Sequence, residues 1–277
     1  MTQDKKKSTY SATWDRYVSE VFDKIKSGPK RTAEELLPWQ VLNTTDDEYV
    51  WPGDEWGDST SVQHIMETCV FSYLDENPNT FCEIASGAGR MTSIALERYP
   101  HANIDCFDIS REFLDQVEKR FANEMSRNRL RTFLLTEDPR FMYRTLDQAS
   151  LTRKIDCIFS FDAMVHVELH SVLIYIATAA AVLKPKGLLS MSVADATNEH
   201  GFHKLLNNAP SVFKLGGDAG MHFQFASPDI IRTLLDPLGF SYDFHDCNGR
   251  DLFFSARLDN PDIAQAQFEK AGSSWWL

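Results

Sequence analysis

The sequence predicts an α/β fold in which a mostly parallel β-sheet is covered by helices on both faces. From Thr80 onward, short runs rich in β-branched and aromatic residues alternate with helical segments, and such alternation is typical of parallel sheets. The last two runs, Phe240–His245 and Leu252–Ala256, are joined by only six residues. A parallel pair needs a connection of about a dozen residues or more, so we expect the sheet to end in an antiparallel hairpin.

An N-terminal helical extension with a lid loop, residues 1–59, is expected to precede this domain. Apolar residues recur at helical spacing and predict an amphipathic helix from about Ser11 to Lys26, ended by Gly28-Pro29; they are Trp14, Val18, Val21, Phe22 and Ile25. A loop with Trp39, Trp51 and Trp56 follows. Thr60 is expected to cap the next helix, which runs to Tyr73, with Gln63 as the reciprocal partner.

The sequence predicts seven strands in the main domain, residues 60–258. The five strands before the hairpin are Phe81–Ala85, Ile104–Asp108, Arg131–Leu135, Ile155–Phe161 and Leu188–Val193. The helices between the strands are about Met91–Arg98, Arg111–Glu124, Leu169–Leu183 and Pro228–Leu235. Residues 195–226 lack clear periodicity and are too many for a plain connection, which predicts a substrate-side insertion. Residues 259–277 are expected to be a C-terminal tail.

The composition is that of an ordinary globular protein. The chain has 277 residues, 43% of them hydrophobic, and a net charge of −12, which excludes disorder as the main state. The acidic balance disfavours binding to nucleic acid or anionic lipid through a basic surface. The longest uncharged run, Ser171 to Leu183, is far shorter than the roughly 20 residues that span a bilayer.

The five cysteines are widely spaced and include no CxxC pair. No apolar stretch of signal-peptide type follows the lysines near the start of the sequence. We therefore expect a cytoplasmic protein with reduced cysteines, without a disulfide framework or a zinc site.

The first predicted strand is followed by a glycine loop, Ser86-Gly87-Ala88-Gly89, which opens a helix. Glycine removes the Cβ atoms that would keep a ligand away from the backbone, and the start of a helix favours a negative ligand group. Asp108 stands nineteen residues after Gly89, at the end of the second strand, where an acid can bind both hydroxyls of a ribose. Together these features predict a site for a nucleoside-type cofactor.

The residues around the loop distinguish between possible cofactors. Dinucleotide sites use G-x-G-x-x-G, but Thr92 occupies the third position here. Glu83, just before the loop, would repel a pyrophosphate and suit an ammonium group. S-adenosylmethionine, which has a ribose, a carboxylate and an ammonium group, fits better than a dinucleotide.

These residues resemble the class I S-adenosylmethionine-dependent methyltransferases. The first motif of that family reads roughly E/D-x-G-x-G-x-G, and residues 83–89 match it except that Ala85 replaces the first glycine. The resemblance covers about Thr60 to Arg257 and implies a Rossmann-like seven-stranded sheet. It also implies that Glu83, Ala85, Gly87, Gly89 and Asp108 bind the cofactor.

Further positions of this resemblance follow the later strands. Asp138, with Glu137 as the competing acid, falls where the family often places a residue near the adenine. Lys184-Pro185-Lys186-Gly187 is similar to a structural L-K-P-G-G turn of the family. The (N/D)-P-P-(Y/F) motif of the branch that methylates nucleic-acid and protein amides is replaced by residues 162–165, Asp-Ala-Met-Val, which disfavours that branch.

The part of the site where the acceptor meets the methyl group is expected at the end of the fourth strand, because the carboxyl ends of parallel strands line the ligand crevice. Asp162 and His166 follow this strand directly. A hydroxyl acceptor needs to lose its proton, and an unperturbed histidine, with a pKa of about 6.5, is a suitable base. We expect His166 to act as the base or to orient the acceptor, and Asp162 to line the site or to cap the turn.

Other residues are candidates for binding the acceptor or covering the cofactor. His222 is expected to bind the acceptor. Trp56 and Asp58 lie in a loop similar to a W-G-D stretch that sugar and natural-product O-methyltransferases often carry, and Trp56 is expected to lie over the cofactor. His200 and His203 lack an acid that would complete a metal site, so no metal is expected.

The sequence therefore predicts an enzyme that methylates a hydroxyl of a small molecule, a sugar or a secondary metabolite, with S-adenosylmethionine. N- or S-methylation, a nicotinamide-dependent oxidoreductase on a related sheet, and a silent binding module remain open alternatives. No nucleic-acid or membrane partner is expected. The sequence leaves the oligomeric state open.

Overall fold

The computed structural model describes residues 10–27, 50–75, 77–212 and 222–272. Its strands are β1 (Thr80–Ile84), β2 (Asn103–Asp108), β3 (Leu130–Leu134), β4 (Ile155–Ser160), β5 (Leu183–Asp195), β6 (Phe225–Ala226), β7 (Phe240–His245) and β8 (Asp251–Leu258). Gly28-Pro29, Trp39 and parts of the expected insertion and tail, residues 213–221 and 273–277, lie outside the described residues.

Helices precede, connect and follow these strands. They are α1 (Tyr10–Arg16), α2 (Phe22–Ser27), α3 (Ser59–Cys69), α4 (Arg90–Arg98), α5 (Arg111–Arg120), α6 (Ala122–Ser126), α7 (Arg140–Gln148), α8 (Leu169–Val182), α9 (Glu199–Val212), α10 (Pro228–Leu235) and α11 (Pro261–Ala271). A π-helical turn, Tyr17–Val21, joins α1 to α2, so residues 10–27 form one helical segment close to the predicted one.

One mixed sheet organises the domain, and its strands lie in the order β3-β2-β1-β4-β5-β8-β7. The pairs from β3 to β5 are parallel, while β8 runs antiparallel to both β5 and β7. The predicted Rossmann-like α/β fold with its C-terminal hairpin is therefore confirmed. The described residues add an eighth strand, β6, which pairs with β5; two residues are too few to give a periodic pattern.

Two apolar clusters cover the faces of this sheet, as alternation along a strand requires. In β1, Cys82 and Ile84 belong to the cluster that includes α7, α8 and α10. Phe81, their neighbour in the strand, belongs to the opposite cluster with α3 and α4. Helices therefore pack on both faces, and the carboxyl ends of the parallel strands remain available for a site.

The structure differs from the sequence prediction at several helices, among them α9, which lies in residues 195–226, where no helix was predicted. Asp58, not Thr60, caps α3: its carboxylate accepts 2.8 and 2.9 Å hydrogen bonds from the amide and hydroxyl of Ser61. An ionised cap also complements the positive end of the helix dipole better than a hydroxyl. The helix α7 was not predicted, and the expected tail contains α11, whose Ala264 is buried in the core.

The family-like turn Lys184–Gly187 lies inside β5 rather than before it. Lys186 has a φ of 68°, and the pairing of β5 with β4 shifts register between Ile155 and Cys157. The segment is thus an irregularity within a long strand. It lies at the amino end of β5, opposite the carboxyl ends that carry the site.

Candidate active site

A cavity of about 190 Å³ opens at the carboxyl ends of β1, β2, β3 and β4. Each of these strands is followed by a residue that lines the cavity: Gly87 after β1, Ile109 after β2, Glu137 after β3 and Asp162 after β4. The helix α1 and the loop before α3 also contribute to the walls. The topology therefore brings together segments that are far apart in the sequence.

The glycine loop bends so that only part of it faces the cavity. Ala85, Gly87 and Gly89 have φ values of 56°, 52° and 78°, the left-handed region that favours glycine. Ala85 and Gly87 line the cavity. Gly89 is not on the cavity wall; a Cβ on it would lie 2.4 Å from the ring of Phe121, so its glycine is required by packing.

Asp108 lies on the cavity wall, as the ribose-binding role predicts. The amides of Gly87 and Ser110 each donate a 2.8 Å hydrogen bond to its carboxylate. Only 4% of the residue is exposed, and this burial raises its pKa to about 7. A carboxylate held at the edge of an apolar cavity can accept hydrogen bonds from two neighbouring ribose hydroxyls.

Glu83 does not lie on the described wall of the cavity. Strand alternation turns its side chain toward α4, where its carboxylate accepts a hydrogen bond from the Thr92 hydroxyl. Burial raises the pKa of Glu83 to about 8, so the carboxyl is largely neutral at pH 7. The structure thus gives no contact between Glu83 and the cavity to support its expected pairing with an ammonium group.

Of the two acids after β3, Glu137 lines the cavity and Asp138 does not. Asp138 forms ion pairs of 2.9 Å with Arg140 and 3.0 Å with Arg144. The hydrogen bond from Arg140 holds the pKa of Asp138 down at about 2. The structure therefore supports Glu137, the competing acid, for the position near the adenine, because the arginines turn Asp138 away.

Aromatic side chains from α1 and the loop before α3 cover the cavity. We call residues 50–58 the Trp56 loop. The Trp56 ring lies 5.0 Å from that of Tyr17 and 6.0 Å from that of Trp14, and both Trp56 and Trp14 line the cavity. The hydroxyl of Tyr10 donates a 2.9 Å hydrogen bond to the His166 carbonyl. The extension and the main domain therefore build one wall together.

Arg90, the first residue of α4, holds the Trp56 loop in place. Its guanidinium donates hydrogen bonds to the carbonyls of Gly53, at 3.1 Å, and Gly57. Asp54 also closes the loop on itself, because its carboxylate accepts hydrogen bonds of 3.1 and 2.9 Å from the amides of Val50 and Trp51. The loop is thus anchored beside the glycine loop.

His166 lies on the cavity wall, in the short turn after β4. Its ring is 5.3 Å from that of Trp14 and 4.9 Å from that of Phe223. Burial lowers its pKa to about 4, against a hydrogen bond with the His222 backbone that raises it. The buried Nδ1 has no hydrogen-bond partner among the described residues. The ring is therefore neutral at pH 7, and its Nδ1 has an unused hydrogen-bonding capacity.

Asp162 also lines the cavity, in a strained backbone position with a φ of 57°. Its amide donates a 2.9 Å hydrogen bond to the Ser192 hydroxyl on β5. Its carboxylate forms a 2.9 Å ion pair with Arg250, from the turn between β7 and β8. The side chain is therefore already held by the hairpin, which supports a role in shaping the site.

His222 does not lie on the described wall of the cavity, but it contributes to the site through its backbone contact with His166. Its neighbour Phe223 packs edge-on against the His166 ring. Arg250 and Lys204 also contact the Phe223 ring, at 5.0 and 4.4 Å from its centre. Phe223, near the end of the expected insertion, therefore packs against the His166 ring.

Several cavity residues were missed by sequence reasoning. Tyr10, Trp14, Glu168 and Tyr175 line the cavity, although none of them was a candidate site residue. Helical periodicity predicted the helix that carries Trp14 but not the surface against which this helix packs. Within the described ranges, no group of three or more His, Cys, Asp or Glu side chains could hold a metal ion, and no helix could cross a membrane.

Comparisons with known proteins agree with this geometry. Residues 82–189 match the family described as "Methyltransferase domain". No curated protein matches the chain significantly. At the level of the fold, the chain is similar to magnesium protoporphyrin IX methyltransferase from Synechocystis, solved with bound SAH, with a TM-score of 0.55, 15% identity and coverage of 90% of this chain and 99% of that one.

Two other solved structures are similar to the same degree. An O-methyltransferase family protein from Burkholderia thailandensis gives a TM-score of 0.53 at 16% identity, over 72% of this chain and 55% of that one, so the match spans about half of its length. A SAM-dependent methyltransferase from Archaeoglobus fulgidus gives 0.54 at 12% identity, over 73% and 95%. At these identities the likeness concerns the fold.

The residues present also fit S-adenosylmethionine. Asp108 offers carboxylate oxygens to a ribose, Gly87 leaves its side of the wall open, and aromatic rings complete the lining of the cavity. Residues 82–189 thus match a methyltransferase domain, and the sheet order and this cavity agree with the fold of class I S-adenosylmethionine-dependent methyltransferases.

Proposed function

We propose that the protein methylates a hydroxyl group of a small molecule, with His166 as the proton acceptor. The observation that carries this proposal is the unpartnered, buried Nδ1 of a neutral His166 on the same cavity as Asp108 and the glycine loop. The His166 ring lines that cavity, and an unprotonated imidazole nitrogen can receive a hydroxyl proton. The proposal includes a cytoplasmic location, in line with the widely spaced cysteines.

The residues of the cavity divide into two functions. Asp108 and the glycine loop hold the nucleoside part of the cofactor, which supplies an electrophilic methyl group when bound. His166 would accept the hydrogen bond of the acceptor hydroxyl and take its proton, while the cofactor would supply the methyl group and leave as the neutral thioether. The contact with the His222 backbone would help to hold the His166 ring in place. Trp14 and Trp56 exclude water from this space.

The low pKa of His166 has consequences for this role. At about 4 it keeps the ring neutral at pH 7, so the base is ready without a prior deprotonation. A weaker base also takes the proton only as the hydroxyl loses electron density to the methyl carbon. Positioning of the two reactants in line then supplies much of the rate, as is usual for a displacement at carbon.

Residues 195–226 are proposed to be the substrate-side insertion. The described end of this segment reaches the site through Phe223, whose ring contacts that of His166. Lys204, on α9 of the same segment, also contacts the Phe223 ring. None of the described residues of this segment lines the cavity, so its proposed effect on the acceptor would act through the contact of Phe223 with His166.

An amine acceptor is the second candidate, and a specific feature of the cavity favours it. Asp162 and Glu168 line the wall near His166, while none of the described lining residues is a lysine or arginine. Carboxylates beside aromatic rings attract a cationic amine. However, an ammonium group must lose a proton before it can attack, so His166 would be needed in that reaction as well.

Methyl transfer from S-adenosylmethionine labelled in the methyl group tests the proposal. The acceptors would be a panel of small phenols and sugars and a matched panel of amines of the same carbon skeleton. O-methylation is supported if the label appears in an ether product and if His166→Ala forms much less of that product than the parent. Label only in amine products favours the second candidate. Binding of NADH without binding of S-adenosylmethionine in calorimetry would exclude both.

A further inference from the structure

The fold brings together two cysteines that are far apart in the sequence. Cys69 is the last residue of α3, and Cys247 lies in the turn between β7 and β8. Their sulfur atoms are 3.6 Å apart. Formation of a disulfide needs this distance to close by roughly 1.5 Å. We infer that Cys69 and Cys247 are a site of reversible disulfide formation.

The surroundings of the two thiols differ in a way that suits this chemistry. Cys69 is buried, whereas Cys247 is partly exposed, so a reagent in solution reaches Cys247 first. The hydrogen bond between the two sulfurs lowers the pKa of Cys247 and raises that of Cys69. Cys247 is therefore the attacking thiolate and Cys69 the resolving thiol, an order that also follows from exposure alone.

The position of Cys69 is fixed by its neighbours. The hydroxyl of Ser255 on β8 donates a 2.6 Å hydrogen bond to the Cys69 carbonyl. The same hydroxyl is 3.0 Å from Nε2 of His245, at the end of β7. The end of α3 is thus bound to both strands of the hairpin, which keeps the two sulfurs in contact without a covalent bond.

A small-molecule disulfide, such as oxidised glutathione, supplies the oxidising power. The Cys247 thiolate attacks one sulfur of that disulfide, forms a mixed disulfide and releases one thiolate. Cys69 then loses its proton and attacks the Cys247 sulfur, which releases the second thiol. Two electrons pass from the protein to the reagent, and the protein gains one S–S bond. Excess reduced glutathione reverses both steps.

The other cysteines provide internal controls. Cys82, Cys106 and Cys157 are fully buried in the central strands β1, β2 and β4. Burial raises the pKa of each of these thiols, so they are poor nucleophiles in the folded protein. A linkage formed under native conditions should therefore leave these three cysteines as free thiols.

The linkage would also join elements near the active site. Cys247 lies in the turn that carries Arg250, and Arg250 forms the ion pair with Asp162 on the cavity wall. A disulfide would fix this turn against α3. We expect the oxidised protein to have a higher midpoint of thermal unfolding than the reduced protein, because the cross-link closes a long loop in the unfolded chain.

The experiment uses the folded protein in oxidised and reduced glutathione at a series of ratios. Acid quenching, alkylation, proteolysis and mass spectrometry then identify linked peptides. The expected result is a peptide pair joined through Cys69 and Cys247, with the other three thiols still alkylated. Cys69→Ser should instead trap glutathione on Cys247, and Cys247→Ser should leave Cys69 unreacted.

Matched arms separate this result from scrambling or misfolding. Cys157→Ala, a change at a control cysteine, should retain the linkage, and circular dichroism should show that each variant is folded. We expect other pairs of cysteines to form disulfides only when the protein is denatured in urea. The inference is overturned if all cysteines of the folded protein remain free thiols after incubation with oxidised glutathione and no reduced glutathione. It is also overturned if Cys69→Ser traps no glutathione.

Discussion

The amide nitrogen of Gly87 donates a 2.8 Å hydrogen bond to the carboxylate of Asp108. This bond joins the loop after β1 to the end of β2, so the glycine loop and the acid that we predict to bind the ribose form one unit. Because Ser110 donates a second bond of the same length, the carboxylate is oriented before any ligand binds. Preorganisation of this kind lowers the entropic cost of binding.

Asp108→Ala should weaken the binding of S-adenosylmethionine roughly 10- to 150-fold. The ribose hydroxyls would lose charge-assisted hydrogen bonds worth about 1.5–3 kcal/mol in total. Isothermal titration calorimetry measures the change. Asp138→Ala is the matched control, since Asp138 is the acid of the same region that points away from the cavity, and it should bind as tightly as the parent. Equal affinity of Asp108→Ala and the parent would remove Asp108 from the site.

The binding of S-adenosylmethionine should strengthen as the pH rises through neutrality. Burial gives Asp108 a pKa of about 7 in the free protein, and the ionised form is the better acceptor for ribose hydroxyls. A protein protonated at Asp108 must release that proton on binding, so the dissociation constant should be about tenfold larger at pH 6 than at pH 8. Calorimetry in buffers of different ionisation enthalpy detects the proton.

Asp108→Asn tests the origin of this pH dependence. The amide cannot ionise, so its affinity should be lower and nearly constant between the two pH values. A pH dependence as steep as that of the parent would assign the titration to another group, such as Glu83.

His166→Ala should lower kcat by about 10²–10⁴ and leave the affinity for S-adenosylmethionine close to that of the parent. His166→Gln can hydrogen-bond but cannot take a proton, so its kcat should be nearly as low. Because burial lowers the pKa of His166 to about 4, the parent rate should stay level from pH 8 down to about pH 5. A decline centred near pH 6.5 would show that the ring titrates as an exposed histidine.

Arg90→Lys should loosen the Trp56 loop without unfolding the domain. A lysine cannot donate to the Gly53 and Gly57 carbonyls from a planar fork, and the loss of charge-assisted bonds corresponds to about 1.5–3 kcal/mol. We expect weaker cofactor binding and a smaller change of tryptophan fluorescence on binding. Arg111→Lys, on the exposed face of α5, is the control. Identical fluorescence titrations for both variants would show that Arg90 does not anchor the loop.

Glu83→Gln should change the pH dependence of stability rather than cofactor binding. Folding raises the pKa of Glu83 from 4.5 to about 8, so the folded chain keeps a proton that the unfolded chain has lost. The parent therefore loses stability as the pH rises from about 4.5 to 8, by up to about 4 kcal/mol. The glutamine of the variant can still accept the hydrogen bond from Thr92 but cannot ionise, which removes this loss. Urea unfolding at pH 6 and 8.5 measures the difference, and an equal loss in parent and variant would assign it to another group.

The fold, and the presence of Asp108 and Gly87 at one cavity, could be predicted from the sequence by itself. Two features that predict the fold are local in the sequence: the order of strands and helices, and the six-residue link of the hairpin. Parallel pairing then brings the carboxyl ends of the strands together, independently of the sequences of the helices. Asp108 and Gly87 could be predicted because their roles depend on strand ends and backbone conformation. Both follow from a short stretch of sequence.

Only the tertiary structure decided which neighbouring polar residues face the cavity. Glu83 and Asp138 match the expected positions in sequence, but strand alternation turns one toward Thr92 and two arginines hold the other outside. The acceptor end depends on contacts between distant segments: Tyr10 on α1 with His166, and Arg250 of the hairpin with Asp162. These contacts between distant segments are set by the whole fold, so no local pattern in the sequence could encode them.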